Sequence, residues 1–102
     1  MSTLHTVNKS PFSTQSLQSC LNHCKDGDAV LMIEDGVYGA LTNSNMSKQV
    51  QTKAGNVTIY VLSPDADARG LIGDKLLGEV IAVDYAGFVK LVTKHDRTQN
   101  WL

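Results

Sequence analysis

The amino-acid sequence predicts a three-layer α/β/α domain built on a parallel sheet of four to five strands. The first observation is Ala29 to Ile33, a continuous apolar run without polar alternation, as expected of a strand covered on both faces. The second is that strand-like stretches alternate with helical ones along the chain, the pattern of parallel strands joined by right-handed crossovers. The third is that no internal repeat, low-complexity tract or linker divides the 102 residues. Residues 1–102 are therefore read as one domain, large enough to bury about 65% of its unfolded surface.

Taken in order, Thr3 to Val7 reads as a short first strand, broken by Asn8-Lys9-Ser10-Pro11. Ser13 or Thr14 is placed to cap a helix that runs to about Lys25. Its apolar stripe is Leu17, Cys20, Leu21 and Cys24, spaced i, i+3, i+4, i+7. Asp26-Gly27 stops it, with Lys25 near the negative end of the helix dipole. The buried strand follows at once and ends in Glu34-Asp35-Gly36, read as an acidic turn whose glycine supplies the unusual backbone angle. A weakly patterned stretch holds a short helix anchored by Met46 and Val50, capped by Ser44 or Asn45 and closed by Gly55. Val57 to Leu62 is rich in β-branched residues and reads as a strand. Ser63-Pro64-Asp65 then supplies a cap, a first-turn proline and a first-turn acid for a short helix ended by Gly70. Glu79 to Val83 is the last strand of this reading. Asp84 caps a final helix with Tyr85, Phe88, Val89 and Val92 on one face. The tail ends on Trp101-Leu102, two large apolar side chains expected to dock.

Nine Lys and Arg stand against ten Asp and Glu, a net charge of −1, with no basic run. Tight binding to nucleic acid through phosphate neutralisation is not expected of such a chain. The N-terminus MSTLHTVNKS lacks the apolar core of a signal peptide, and the longest apolar run is too short to cross a bilayer. Two closely spaced cysteines read as reduced thiols, not a disulfide framework. A cytoplasmic chain that contacts neither membrane nor nucleic acid is the expectation.

Several residues carry candidate chemistry. Cys20, His23 and Cys24 form C-x-x-H-C on a helix. The cysteines share a face, but His23 points about 60° to 100° away by helical periodicity, so no metal site is expected in this chain and the cysteines are read as buried small hydrophobes. His5 and His95 are remote in sequence. Neither cysteine sits in the first turn of its helix, where the dipole would lower a thiol pKa. Glu34 and Asp35, with Lys90 and Lys94, invite comparison with the acidic pocket of a phosphoacceptor receiver domain. Such a domain needs an aspartate ending its third strand and a lysine on a strand; here that strand ends in Leu62-Ser63-Pro64 and both lysines fall in the last helix. A degenerate receiver-like signalling or binding domain is the alternative reading. No phosphate-binding glycine loop, nucleophile elbow or histidine-rich catalytic set is present, and no cofactor is expected.

Beyond these readings the chain resembles a known family. Leu4-His5-Thr6-Val7-Asn8-Lys9-Ser10-Pro11-Phe12, Glu34-Asp35-Gly36-Val37-Tyr38, Tyr60-Val61-Leu62, Asp67-Ala68-Arg69-Gly70-Leu71, Val83 to Val89 and Asn100-Trp101-Leu102 look like the TusB/DsrH family, from end to end and in order. Ser19-Cys20-Leu21 is similar to DsrH in particular. The resemblance implies a DsrE/F/H-like fold. It also implies a subunit of a sulfur-relay complex of three homologous chains, two copies of each, of the DsrEFH or TusBCD type. The implied partners are DsrE/TusD-like and DsrF/TusC-like subunits and a small sulfur carrier of the DsrC/TusE type. The implied process is cytoplasmic sulfur oxidation or 2-thiolation of tRNA wobble uridine. The principal sulfur-bearing cysteine belongs to the DsrE/TusD-like sister, in the segment leading to an Arg-Gly like Arg69-Gly70. Here that segment, Leu62 to Ala68, has no cysteine, which implies an accessory subunit without independent catalysis. For Cys20 the resemblance leaves two roles, relay of sulfur or packing of the helix on the sheet. Cys24 is expected in the core.

Overall fold

The structure is a computed structural model describing residues 1–102. Five strands, β1 (Thr3–Val7), β2 (Ala29–Met32), β3 (Thr58–Leu62), β4 (Ile81–Val83) and β5 (Arg97–Trp101), form one sheet in the order β4-β3-β2-β1-β5. Every pairing is parallel. The expected α/β/α architecture is therefore the one observed, and the apolar run that predicted it is the central strand, buried along its whole length. The fifth strand comes from the tail. It lies beside β1 with Val7 opposite Trp101, so the docking expected of the last residues is strand pairing.

The helices are α1 (Ser16–His23), α2 (Ser47–Lys53), α3 (Ser63–Ala68) and α4 (Tyr85–Lys94), with 3₁₀ turns at Glu34–Ala40 and Gly73–Lys75. Side chains alternate across the pleat, which divides the core in two. On one face Val7, Val30, Met32, Ile59 and Val61 meet Leu17, Cys20 and Leu21 of α1, Val37 and Ala40 of the 3₁₀ segment, Val50 of α2 and Ala66 of α3. On the other, Leu4, Ala29, Leu31 and Leu62 meet Leu91 of α4, with Phe88 partly buried beside them. One helix thus covers a face that three helices cover on the opposite side. Of the stripe expected on α4, only Phe88 turns toward the sheet, and Tyr85, Val89 and Val92 are exposed, together with Ile81 of β4.

The local signals hold with small corrections. Asp84 caps α4 as expected, its Oδ1 accepting the Gly87 N–H at 2.8 Å. Ser63 is the first residue of α3 instead of its cap, and its hydroxyl donates to the Val83 carbonyl at 3.0 Å, tying α3 to β4. Helix α1 begins at Ser16, because Thr14 and Ser13 are held in a preceding turn on the Ser10 carbonyl. The acidic turn after β2 is a longer 3₁₀ segment, and its left-handed residue is Glu34, at φ 49°, not Gly36. Gly36 is required for another reason: a Cβ there would lie 2.0 Å from the Val7 carbonyl oxygen. The Glu34 N–H is anchored by the Asp65 carboxylate at 2.7 Å.

Candidate functional site

Helix α1 ends at His23, short of the expected Lys25, with Cys20 on its inner face and Cys24 one turn on as its C-cap, and β1 runs beneath that face. His5, at the centre of β1, points to the same side of the sheet as Val7. The result is a cluster that sequence spacing does not reveal. A ring nitrogen of His5 and the Sγ atoms of Cys20 and Cys24 all lie within 4.8 Å of one another. Exposure is 1% for His5, 0% for Cys20 and 8% for Cys24, and both thiols are free.

His5 is held from both sides. Its Nε2 lies 3.0 Å from Oδ2 of buried Asp28, and the Trp101 indole N–H donates to its Nδ1 at 3.0 Å. A carboxylate only accepts and an indole N–H only donates, so these partners assign a neutral imidazole carrying its proton on Nε2. Asp28 also accepts the backbone N–H groups of Thr3, at 3.0 Å, and Lys25, at 3.1 Å. Burial alone pushes the Asp28 carboxyl up, but these three donors outweigh it and hold the group below the usual carboxylate range.

The two thiols divide their acidity. Hydrogen bonding to Cys24, then burial, pushes the Cys20 thiol up. The same contact, working against burial, draws Cys24 down. A pocket of about 360 Å³ opens beside the cluster, lined by Thr3, His5, His23, Lys25, Asp28 and Arg97 among others.

His23, the third member of C-x-x-H-C, is exposed. Its ring centroid stands 6.2 Å from that of His5 and 5.6 Å from that of Trp101, so it borders the cluster from outside. The periodicity argument against His23 as a partner of the thiols matches this placement. What the sequence missed is that His5, far away in the chain, takes the place His23 leaves. Asp28 and Trp101 were missed as well. The one available signal was a histidine inside an otherwise buried-type strand, with an acid directly preceding the central strand.

The acidic groups lie at the opposite, carboxyl end of the sheet. There Arg69 donates through Nε to Asp35 Oδ1 at 3.0 Å and through Nη1 to the Asp65 carbonyl at 3.0 Å. These side chains bind the loops after β2 and β3 to each other. Lys90 and Lys94 are exposed on α4. The segment Leu62 to Ala68 forms the end of β3 and α3.

Fold and site together define a class: a small all-parallel α/β domain with a buried thiol pair backed by a histidine–aspartate couple. A family model described as "DsrH like protein" matches residues 9–98. The protein TusB of Pectobacterium parmentieri is 34% identical over 98 residues, covering 96% of this chain and 99% of that protein. TusB of Shigella flexneri is 33% identical with the same coverage. The chain belongs to the DsrH-like family, and these TusB proteins are its relatives. Its fold is also that of the ychN protein from E. coli, with a TM-score of 0.78 at 15% identity over 98% of this chain and 99% of that one. Protein MTH1491 from Methanobacterium thermoautotrophicum, described as of unknown function, has a TM-score of 0.70 at 20% identity, covering 97% and 96% of the two chains. No helix is long and apolar enough to cross a membrane.

Proposed function

We propose that this chain is an accessory subunit of a cytoplasmic sulfur-relay complex. In such a relay the outer sulfur of a persulfide R–S–SH passes to an acceptor thiolate R′–S⁻, leaving R–S⁻ and R′–S–SH. The terminal acceptor or donor in this reading is a small carrier of the DsrC/TusE type, in sulfur oxidation or in tRNA wobble-uridine 2-thiolation. The observation that carries the accessory role is the combination of family membership with a thiol-free segment from Leu62 to Ala68. The chain's own thiols support it, since both are buried and a persulfide exchanged between proteins must be reached by its acceptor. In this assignment Cys20 contributes to transfer modestly at most, and the sister subunit's cysteine carries the sulfur.

The partners in this reading are DsrE/TusD-like and DsrF/TusC-like chains in a heterohexamer. The exposed stripe Ile81, Tyr85, Val89 and Val92 is the surface best suited to them, because it is apolar and lies on the face that only α4 covers. Nucleic acid is not contacted directly, in keeping with the net charge of −1.

Co-expression with the two homologous chains tests the assembly. The complex should co-purify, and Val89→Asp should release this subunit while changing its own unfolding free energy by no more than about 0.5 kcal/mol, as for most exposed positions. A monodisperse monomer at micromolar concentration, indifferent to both partners, would overturn the reading.

A further inference from the structure

The relay reading makes no use of His5, Asp28 or Trp101, and a thiol pair that merely packs a helix needs no histidine–aspartate couple in the core beside it. Burying that couple strips water from a carboxylate and an imidazole, a cost that partners offset only when every polar atom is satisfied. We propose that His5, Cys20 and Cys24 form a binding site for a thiophilic cation of the Zn²⁺ class, with Asp28 orienting the histidine and Trp101 occupying the metal's place on it. The inference does not depend on the relay.

Two thiolates and one imidazole are the donors of an open, three-ligand zinc site, whose fourth position is left to solvent or substrate. In a tetrahedron with metal–ligand bonds of about 2.0–2.3 Å, neighbouring donor atoms stand about 3.3–3.8 Å apart. The two Sγ atoms and one ring nitrogen of His5 already lie within 4.8 Å of one another, so no pair has to close by more than about 1.5 Å. Cys20 lies on α1, Cys24 is its C-cap and His5 lies on the strand below, so closure takes rotation of the two thiols with a small approach of α1 toward β1. Of the three ligands His5 also lines the neighbouring pocket, together with His23 and Lys25.

The hydrogen bonds identify the nitrogen. Nε2 carries a proton to Asp28, and Asp28 is held by two further backbone donors. The lone pair at Nδ1 is engaged only by the indole N–H of Trp101, a half-buried residue of an edge strand. The Trp101 bond is therefore the one that yields. Replacing it leaves the order carboxylate, imidazole, metal, in which the carboxylate fixes the tautomer and raises ligand basicity. Binding converts both thiols to thiolates, releases two protons to solvent, and frees one indole N–H to water. An ion seated there occupies both sulfurs, so metal loading and persulfide on either cysteine exclude each other.

The test uses the reduced, full-length chain, stripped of metal and titrated with Zn²⁺ and with Co²⁺ as its spectroscopic substitute. One ion per chain is expected, with thiolate-to-cobalt charge-transfer absorption, about two protons released per Zn²⁺ at neutral pH and a change in tryptophan fluorescence. Trp101 is the sole tryptophan, so that signal reports its departure from His5. His5→Gln should weaken binding by about tenfold or more. Trp101→Phe removes the competitor and should tighten binding by about fivefold, the worth of one hydrogen bond. Absence of the charge-transfer band at stoichiometric metal overturns the site, as does tight Zn²⁺ binding that leaves the fluorescence unchanged. If His5→Gln does not fold, Trp101→Phe decides: unaltered or weaker affinity in that variant contradicts the proposal.

Discussion

Asp28 accepts the Nε2–H of His5 at 3.0 Å beneath the two thiols of α1, and the same carboxylate collects the backbone donors of Thr3 and Lys25. One side chain thereby fixes the first strand, the turn after α1 and the tautomer of the imidazole. Asp28→Asn presents an amide –NH₂ or a single carbonyl oxygen where two oxygens accepted three donors. At least one buried N–H is left unpaired or faced by another donor. The substitution should cost about 2–4 kcal/mol, read as a shift in urea midpoint at constant m-value. A loss below about 0.5 kcal/mol would mean that the couple adds nothing to the fold.

Gly36 and Glu34 make opposite predictions two residues apart. A methyl group at 36 meets the Val7 carbonyl at 2.0 Å, and that carbonyl already accepts the Ile33 N–H. Gly36→Ala should therefore destabilise by about 3 kcal/mol or prevent folding. Glu34 bears the left-handed angle without being glycine, so Glu34→Gly relieves backbone strain while the bond from its N–H to Asp65 is kept. Strain relief of about 1–2 kcal/mol exceeds the entropy gained by the unfolded chain, and a net gain of about 0.5–1 kcal/mol is expected from thermal or urea unfolding.

His95 gives the pH dependence. Partial burial, then Lys94, holds its imidazole below the ordinary histidine range, with its Nδ1 at 2.8 Å from the Ser2 hydroxyl. The unfolded chain takes up the proton first as pH falls. Stability from this group is thus fully present above about 6.5 and is lost as pH drops through the lower, folded value. His95→Gln should flatten the stability profile on the acid side of about 6.5, whereas a variant profile parallel to that of the parent would assign the slope to other groups.

Much of the fold was legible because its signals are local. The central strand announced itself as Ala29 to Ile33 by unbroken apolarity, the caps and breakers by Asp84, Pro64 and Gly27, and the inner face of α1 by the spacing of Leu17, Cys20, Leu21 and Cys24. The fifth strand was less legible, since Arg97 to Gln99 are polar and exposed and are made a strand by pairing with β1. The outward face of α4 escaped for a related reason: Tyr85, Val89 and Val92 have the period of a buried helix face, and periodicity does not say which apolar stripe meets the sheet. The site was half legible. Both thiols could be read from one helix, but His5 reaches them, and Asp28 and Trp101 reach His5, across 15 to 96 positions of sequence, and such pairing is not written in any one segment.

In the accessory role proposed above, this subunit assists sulfur transfer without itself holding the transferable sulfur. That role is tested most directly by mass spectrometry of each subunit of the assembled complex after loading with a persulfide donor. The comparison is Cys20→Ser, run beside a melting curve, because a hydroxyl at this fully buried position costs about 1–3 kcal/mol if unsatisfied. The predicted result is persulfide mass on the DsrE/TusD-like sister, little on this chain, and transfer to the carrier reduced modestly at most in a normally assembled Cys20→Ser complex. Stoichiometric sulfur on Cys20, with transfer abolished in a folded Cys20→Ser complex, would contradict it.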